Sequence, residues 1–137
     1  MKHFLKYDGG REAEYKPNKK NIGDCVIRAI AIGLDQTYKT TLKELCELAV
    51  EMGGLPNSQW VYEPYLYSKG YQKHKMPKYA NGKRYKIKRL KEKNALVHTR
   101  KHLTAVVDNT VKDTWDTREQ YCFNYYTKVS PNLKQHQ

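Results

Sequence analysis

No apolar run in the 137-residue sequence approaches the length of about eighteen residues that a membrane-spanning helix needs. Its opening stretch, MKHFLKYDGGREAEYK, lacks the apolar centre of a secretory signal, so a cytoplasmic location is expected. Cysteine is scarce: Cys25, Cys46 and Cys122 are an odd number, widely spaced, with no CxxC pair. That spacing argues against a zinc or dithiol redox site and against a framework of structural disulfides, and no cofactor is expected. Acidic residues are also few, 14 against 26 lysines and arginines, for a net charge of +12. So basic a chain is suited to nucleic acid or to an acidic partner, and no membrane partner is expected. Internal repeats are absent, and the only biased segments are basic runs.

What is present supports one folded domain. A chain of this length buries about 70% of its unfolded surface, enough for one core. Hydrophobic content of 39%, two tryptophans and twelve tyrosines argue against wholesale disorder. Residues 1–20 are polar and lysine-rich and read as an irregular arm, residues 21–130 as the domain, and 131–137 as a flexible tail.

The first feature of chemical interest is NIGDCVIRAIAIG. Asp24 suits a helix N-cap, the stretch from Val26 to Ile32 is apolar apart from Arg28, and Gly33 suits a C-cap, which places Cys25 at the first helical position. Unpaired N–H groups and the positive end of the helix dipole favour a thiolate there. A helix apolar on nearly every side is expected at the centre of the fold. Two more helices are expected: Thr41 to Met52, with Leu42, Leu45, Cys46, Ala49 and Val50 on one face, and Gln59 to Ser68, in which Pro64 is tolerated only in the first turn. From Gly70 onward the pattern turns to strands, at Tyr85–Leu90, Ala95–His98, Leu103–Asp108, Thr110–Trp115 and Tyr121–Val129. Helices first and strands second predict an α+β domain, with helices against a mainly antiparallel sheet.

A thiolate needs a base, and among five histidines His102 is the strongest candidate, because it opens the strand HLTAVVD and would be held rigidly at the sheet's rim. His98 is the weaker candidate. If Asp108-Asn109 is a two-residue turn, Val107 pairs with Thr110, Thr104 with Asp113, and His102 with Trp115. Asp113 then lies diagonally within reach of His102, while Asp116 falls on the opposite face; a one-residue slip would exchange them. A carboxylate there would fix the imidazole tautomer and stabilise the imidazolium.

Cysteine at a helix start, histidine opening a strand and Asp113-Thr114-Trp115 on the next strand resemble papain-like cysteine proteases. More narrowly, GDCVIRAIAIGL with HLTAVVDNTVKDTWD resembles small papain-fold proteins of bacteriophages and mobile elements. The resemblance covers roughly residues 21–129. It implies a papain-like fold with the cysteine on a central helix. It also implies a Cys25, His102, Asp113 triad acting on a protein or peptide substrate, and a setting such as the cytoplasm of an infected bacterium. The family's glutamine before the cysteine is missing from NKKNIGDC; Asn21, or alternatively Asn18, would join the Cys25 backbone N–H as oxyanion donor.

Thirteen of the basic residues fall between Lys69 and Lys101, with Glu92 the single acid and Tyr71, Tyr79 and Tyr85 interleaved. Lys83, Arg84, Lys86, Lys88 and Arg89 are the densest part. They read either as a solvated strand face or as a surface for nucleic acid or an acidic protein. Two functions follow: a thiol hydrolase or acyl transferase, or a binding module on the same scaffold without catalysis, such as an inhibitor of a host defence complex. A structural phage protein is the third reading.

Overall fold

The computed structural model describes residues 2–15, 23–75 and 77–129. It is an α+β fold with four helices and a mixed six-stranded sheet. The strands are β1 (His3–Lys6), β2 (Tyr71–His74), β3 (Ala95–His98), β4 (Leu103–Val107), β5 (Thr110–Asp113) and β6 (Asn124–Lys128), in spatial order β1-β5-β4-β3-β6-β2. Only β1 and β5 pair in parallel; the other neighbours are antiparallel. The helices are α1 (Arg11–Glu14), α2 (Cys25–Leu34), α3 (Tyr38–Met52) and α4 (Gln59–Ser68). Among the described residues no helix is long and apolar enough to cross a membrane.

Alternation along the central strands separates two cores. Leu96, Leu103, Ala105 and Tyr126 meet Val26, Ile30, Leu45, Tyr62 and Leu66 in the larger core, between the sheet and α2 to α4. Ala95, Val97, Val106 and Val111 join Ile87, Leu90 and Cys122 in the smaller one. Helix α2 is the central element, with Ile30 fully buried and Val26, Ile27, Ala29 and Ala31 nearly so.

Several elements depart from the sequence reading. The supposed irregular arm contains β1 and α1. Strand β1 is an edge strand, so its side chains are mostly exposed and its sequence carries little apolar signal. What anchors it is Lys2, whose buried ammonium donates to the carbonyls of Leu90 (2.7 Å) and Glu92 (2.8 Å) and to Asn109 Oδ1 (3.1 Å). The tail beyond residue 129 and Asn18 and Asn21 lie outside the described residues. Gly33 is inside α2, not its cap; a Cβ there would stand 2.7 Å from Leu96 Cδ2 and 2.9 Å from the Tyr71 hydroxyl. The glycine lets the helix approach the sheet, and the left-handed cap is Asp35, at φ 53°.

Helix α3 starts three residues earlier than expected, because Thr37 caps it by accepting from the Thr40 N–H (3.1 Å). Its buried face is Tyr38, Thr41, Leu45 and Ala49, which leaves Val50 83% exposed. Pro64 sits at the sixth position of α4, past the first turn. The expected strand Tyr85–Leu90 is a lone bridge, Lys86 to Tyr121, followed by a 3-10 turn at Ile87–Arg89 that buries Ile87. Strand β2, at the sheet's other edge, carried too few inward residues to be read.

Candidate active site

The β4–β5 hairpin has the expected register: Val107 pairs with Thr110, Val106 with Val111, and Ala105 with Lys112. Asp108 and Asn109 both take positive φ, 50° and 62°, as a two-residue turn of this hand requires. The hairpin therefore delivers Asp113 to His102. The Asp113 Oδ2 oxygen lies 2.7 Å from His102 Nε2 and accepts from the Thr104 hydroxyl at 2.6 Å. Its Oδ1 accepts from the Thr114 N–H at 2.7 Å and pairs with Arg28 Nη2 at 3.6 Å. The carboxylate is 4% exposed and fully engaged. Asp116 points elsewhere and pairs with Arg118.

With Nε2 turned to the carboxylate, the Nδ1 side of His102 is left for the thiol. Cys25 hydrogen-bonds with the imidazole and with the Leu103 backbone N–H. Trp115 flanks the imidazole, ring centroids 5.3 Å apart, and walls one side of the pair.

Electrostatics follow from these contacts. Burial alone would raise the Cys25 thiol, but hydrogen bonds from His102 and the Leu103 N–H, with the charges of His102 and Arg28, hold it below its ordinary range. Burial would lower His102; hydrogen bonds to Asp113 and Cys25, and their charges, outweigh it and push the imidazole up to about 9. Asp113 is held low because hydrogen bonds from His102 and Thr104 exceed the opposing effect of burial. The pair is thus biased toward thiolate and imidazolium. Cys122 is the opposite case: buried in the smaller core, its thiol is pushed up to about 12.

Asp24 precedes the helix as expected, yet its side chain makes no capping hydrogen bond. It is turned to Arg28 and to the Tyr38 hydroxyl (2.9 Å), with Arg11 Nε at 3.7 Å. Arg28 therefore links two buried carboxylates, Asp24 and Asp113, and ties the helix that carries Cys25 to the strand that orients His102. Sequence reading left this link out, although an arginine four residues after an aspartate in an otherwise apolar helix was its visible signal.

Cys25 and His102 open onto a cleft of about 380 Å³ whose walls include Gly23, Asn57, Gln59, Tyr62, His98 and Lys101. Asn57, Gln59 and Tyr62 were not anticipated there. The Gln59 amide is already spent on Glu63 (3.0 Å) and the Tyr126 hydroxyl (3.0 Å), which leaves Asn57 as the other side-chain amide among the described lining residues. His98 lines the cleft without joining the Cys25 pair, and burial lowers its pKa, with Lys73 adding to the effect.

The predicted basic surface is drawn together as well. Lys83, Arg84, Lys86, Lys88 and Arg89 line a separate hollow of about 540 Å³. In comparisons with known proteins, the chain matches no family model, no curated protein and no solved structure.

Proposed function

We propose that the protein is a papain-like cysteine hydrolase that cleaves an amide, ester or isopeptide bond through a Cys25, His102, Asp113 triad. The observation that carries this reading is the alignment of the three residues. Asp113 holds Nε2 of His102, the thiol hydrogen-bonds with the same ring, and the thiol is lowered while the imidazole is raised.

In this mechanism the Cys25 thiolate attacks the substrate carbonyl carbon, forming a C–S bond as the carbonyl π pair moves to oxygen. The backbone N–H of Cys25 donates to that oxyanion, at a helix start that the Asp24 side chain does not cap. Asn21 is the proposed second donor, and Asn57, which lines the cleft, is the alternative. Collapse of the intermediate breaks the bond to the leaving amine or alkoxide, which takes the proton from His102. Water then attacks the thioester, giving its proton to the neutral imidazole, and release of the carboxylic acid restores the ion pair. Asp113 stays ionised throughout and keeps the ring in place.

The test is acyl-enzyme trapping with p-nitrophenyl acetate, followed by mass spectrometry of the peptides. A burst of nitrophenol with the acetyl group on Cys25, abolished in Cys25→Ala and slowed about a hundredfold or more in His102→Ala, is expected. Acetylation of Cys46 at the rate of Cys25 would refute the reading.

A further inference from the structure

The basic hollow has features that narrow its partner. Residues 77–89 form a ribbon folded against residues 118–122. The Tyr79 N–H donates to the Lys83 carbonyl (2.9 Å), the Cys122 N–H to Tyr85 (2.8 Å) and the Ile87 N–H to Gln120 (2.9 Å). These bonds hold its cations on a fixed frame. Each ring around them carries a contact, while Tyr79 and Tyr121 stay 43% and 50% exposed. Tyr79 stacks on Tyr85 with centroids 4.2 Å apart, the Arg84 guanidinium lies 4.2 Å over Phe123, and the Lys86 ammonium lies 5.8 Å over Tyr121. A guanidinium over a ring retains N–H groups with which to grip a carboxylate.

Two of the hollow's cations already grip a carboxylate. Glu119 takes Lys86 on one oxygen (2.9 Å) and Lys88 on the other (2.6 Å), while Lys83, Arg84 and Arg89 line the same hollow. Arg84 and Tyr121 are shared with a second hollow of about 470 Å³, closed by Thr99, Arg100 and Phe123. The turn that carries Arg100 also carries Lys101 and His102, which line the Cys25 cleft. A row of cations thus runs from the ribbon to the edge of the candidate active site.

We propose that an acidic peptide segment of the substrate docks in these two adjoining hollows, its carboxylates taken by Lys83, Arg84 and Arg100, with the scissile bond placed toward Cys25. That the segment belongs to a substrate rests on the hydrolase reading; the acidic docking site itself does not.

The experiment is fluorescence anisotropy with a labelled peptide of alternating Glu and Gly, and with an oligothymidylate of equal charge. Wild type, Cys25→Ala, Arg84→Glu/Arg100→Glu and Lys83→Glu are compared with a charge-matched control on α3, Lys39→Glu/Lys43→Glu. The expected result is peptide binding that weakens about tenfold or more in the groove variants, far less in the α3 control, and not at all in Cys25→Ala. Lys83 is exposed, so its variant keeps the test informative if the double variant misfolds. Tighter binding of the oligothymidylate would assign the groove to nucleic acid, and equal losses in groove and α3 variants would reduce it to general charge; either overturns the proposal. Groove-dependent peptide binding by a protein whose Cys25 cannot be acylated would sink the hydrolase reading while leaving the acidic docking site in place.

Discussion

Arg28 is the only cationic side chain in α2, and it ties the helix that carries Cys25 to the strand that carries Asp113. It is 13% exposed and paired with Asp24 and Asp113, which are 8% and 4% exposed. Removing it takes one cation from each of two buried carboxylates, leaving Arg11 to Asp24 and His102 to Asp113, a loss of up to about 3–5 kcal/mol by analogy with other broken buried pairs. Arg28→Met should therefore lower the urea midpoint by a large fraction of total stability, and a loss below about 1 kcal/mol would show that the pair contributes little. At this scale Cys25, His102 and Asp113 were legible, because a helix start, a strand start and a turn each carry local signals. Arg28, Thr104 and the redirected Asp24 were not, since their roles come from side chains meeting across the fold. Asn21 lies outside the described residues, so its part in the oxyanion hole stays a proposal.

Among the elements, legibility tracked burial. Strand β3 was read at its full length and the β4–β5 hairpin in its correct register, because their inward residues are strongly apolar and their turn residues are specific. The edge strands β1 and β2 were missed, since the sheet covers little of their side chains. Tyr85–Leu90 alternates like a strand, but Ile87 and Leu90 are buried in the smaller core from a 3-10 turn, a tertiary arrangement that alternation does not encode. Gly33 was misassigned because glycine serves both helix caps and close packing, and only the nearness of Leu96 and Tyr71 separates the two. Gly33→Val tests this. Valine has the better helix propensity, yet its side chain would enter a filled contact, so a net loss of about 1–3 kcal/mol is expected in urea denaturation. A stabilised variant would return Gly33 to a propensity role.

For the molecule as a whole, the charge balance sets how it responds to salt. With 26 basic and 14 acidic residues, repulsion acts across the folded surface, whereas exposed ion pairs such as Lys86 to Glu119 contribute little each. Raising sodium chloride from about 0.02 M to about 0.2 M shortens the screening length to below about 10 Å and should raise Tm. A falling Tm would mean that specific pairs outweigh the net charge. The same fold brings a helix start, a strand start and a hairpin carboxylate together around one sulfur, and the central claim is that His102 and Asp113 lower its pKa and activate it as a thiolate. The direct measurement is the rate of iodoacetamide alkylation at Cys25 against pH in wild type, His102→Ala and Asp113→Ala. As pH rises through the lowered thiol pKa the wild-type rate should climb at lower pH than an ordinary thiol's, changing again near pH 9, where His102 loses its proton. His102→Ala should move the main rise toward the ordinary value of about 8.5, and Asp113→Ala should move it part of the way. A wild-type midpoint near 8.5, unchanged by either substitution, would contradict the account.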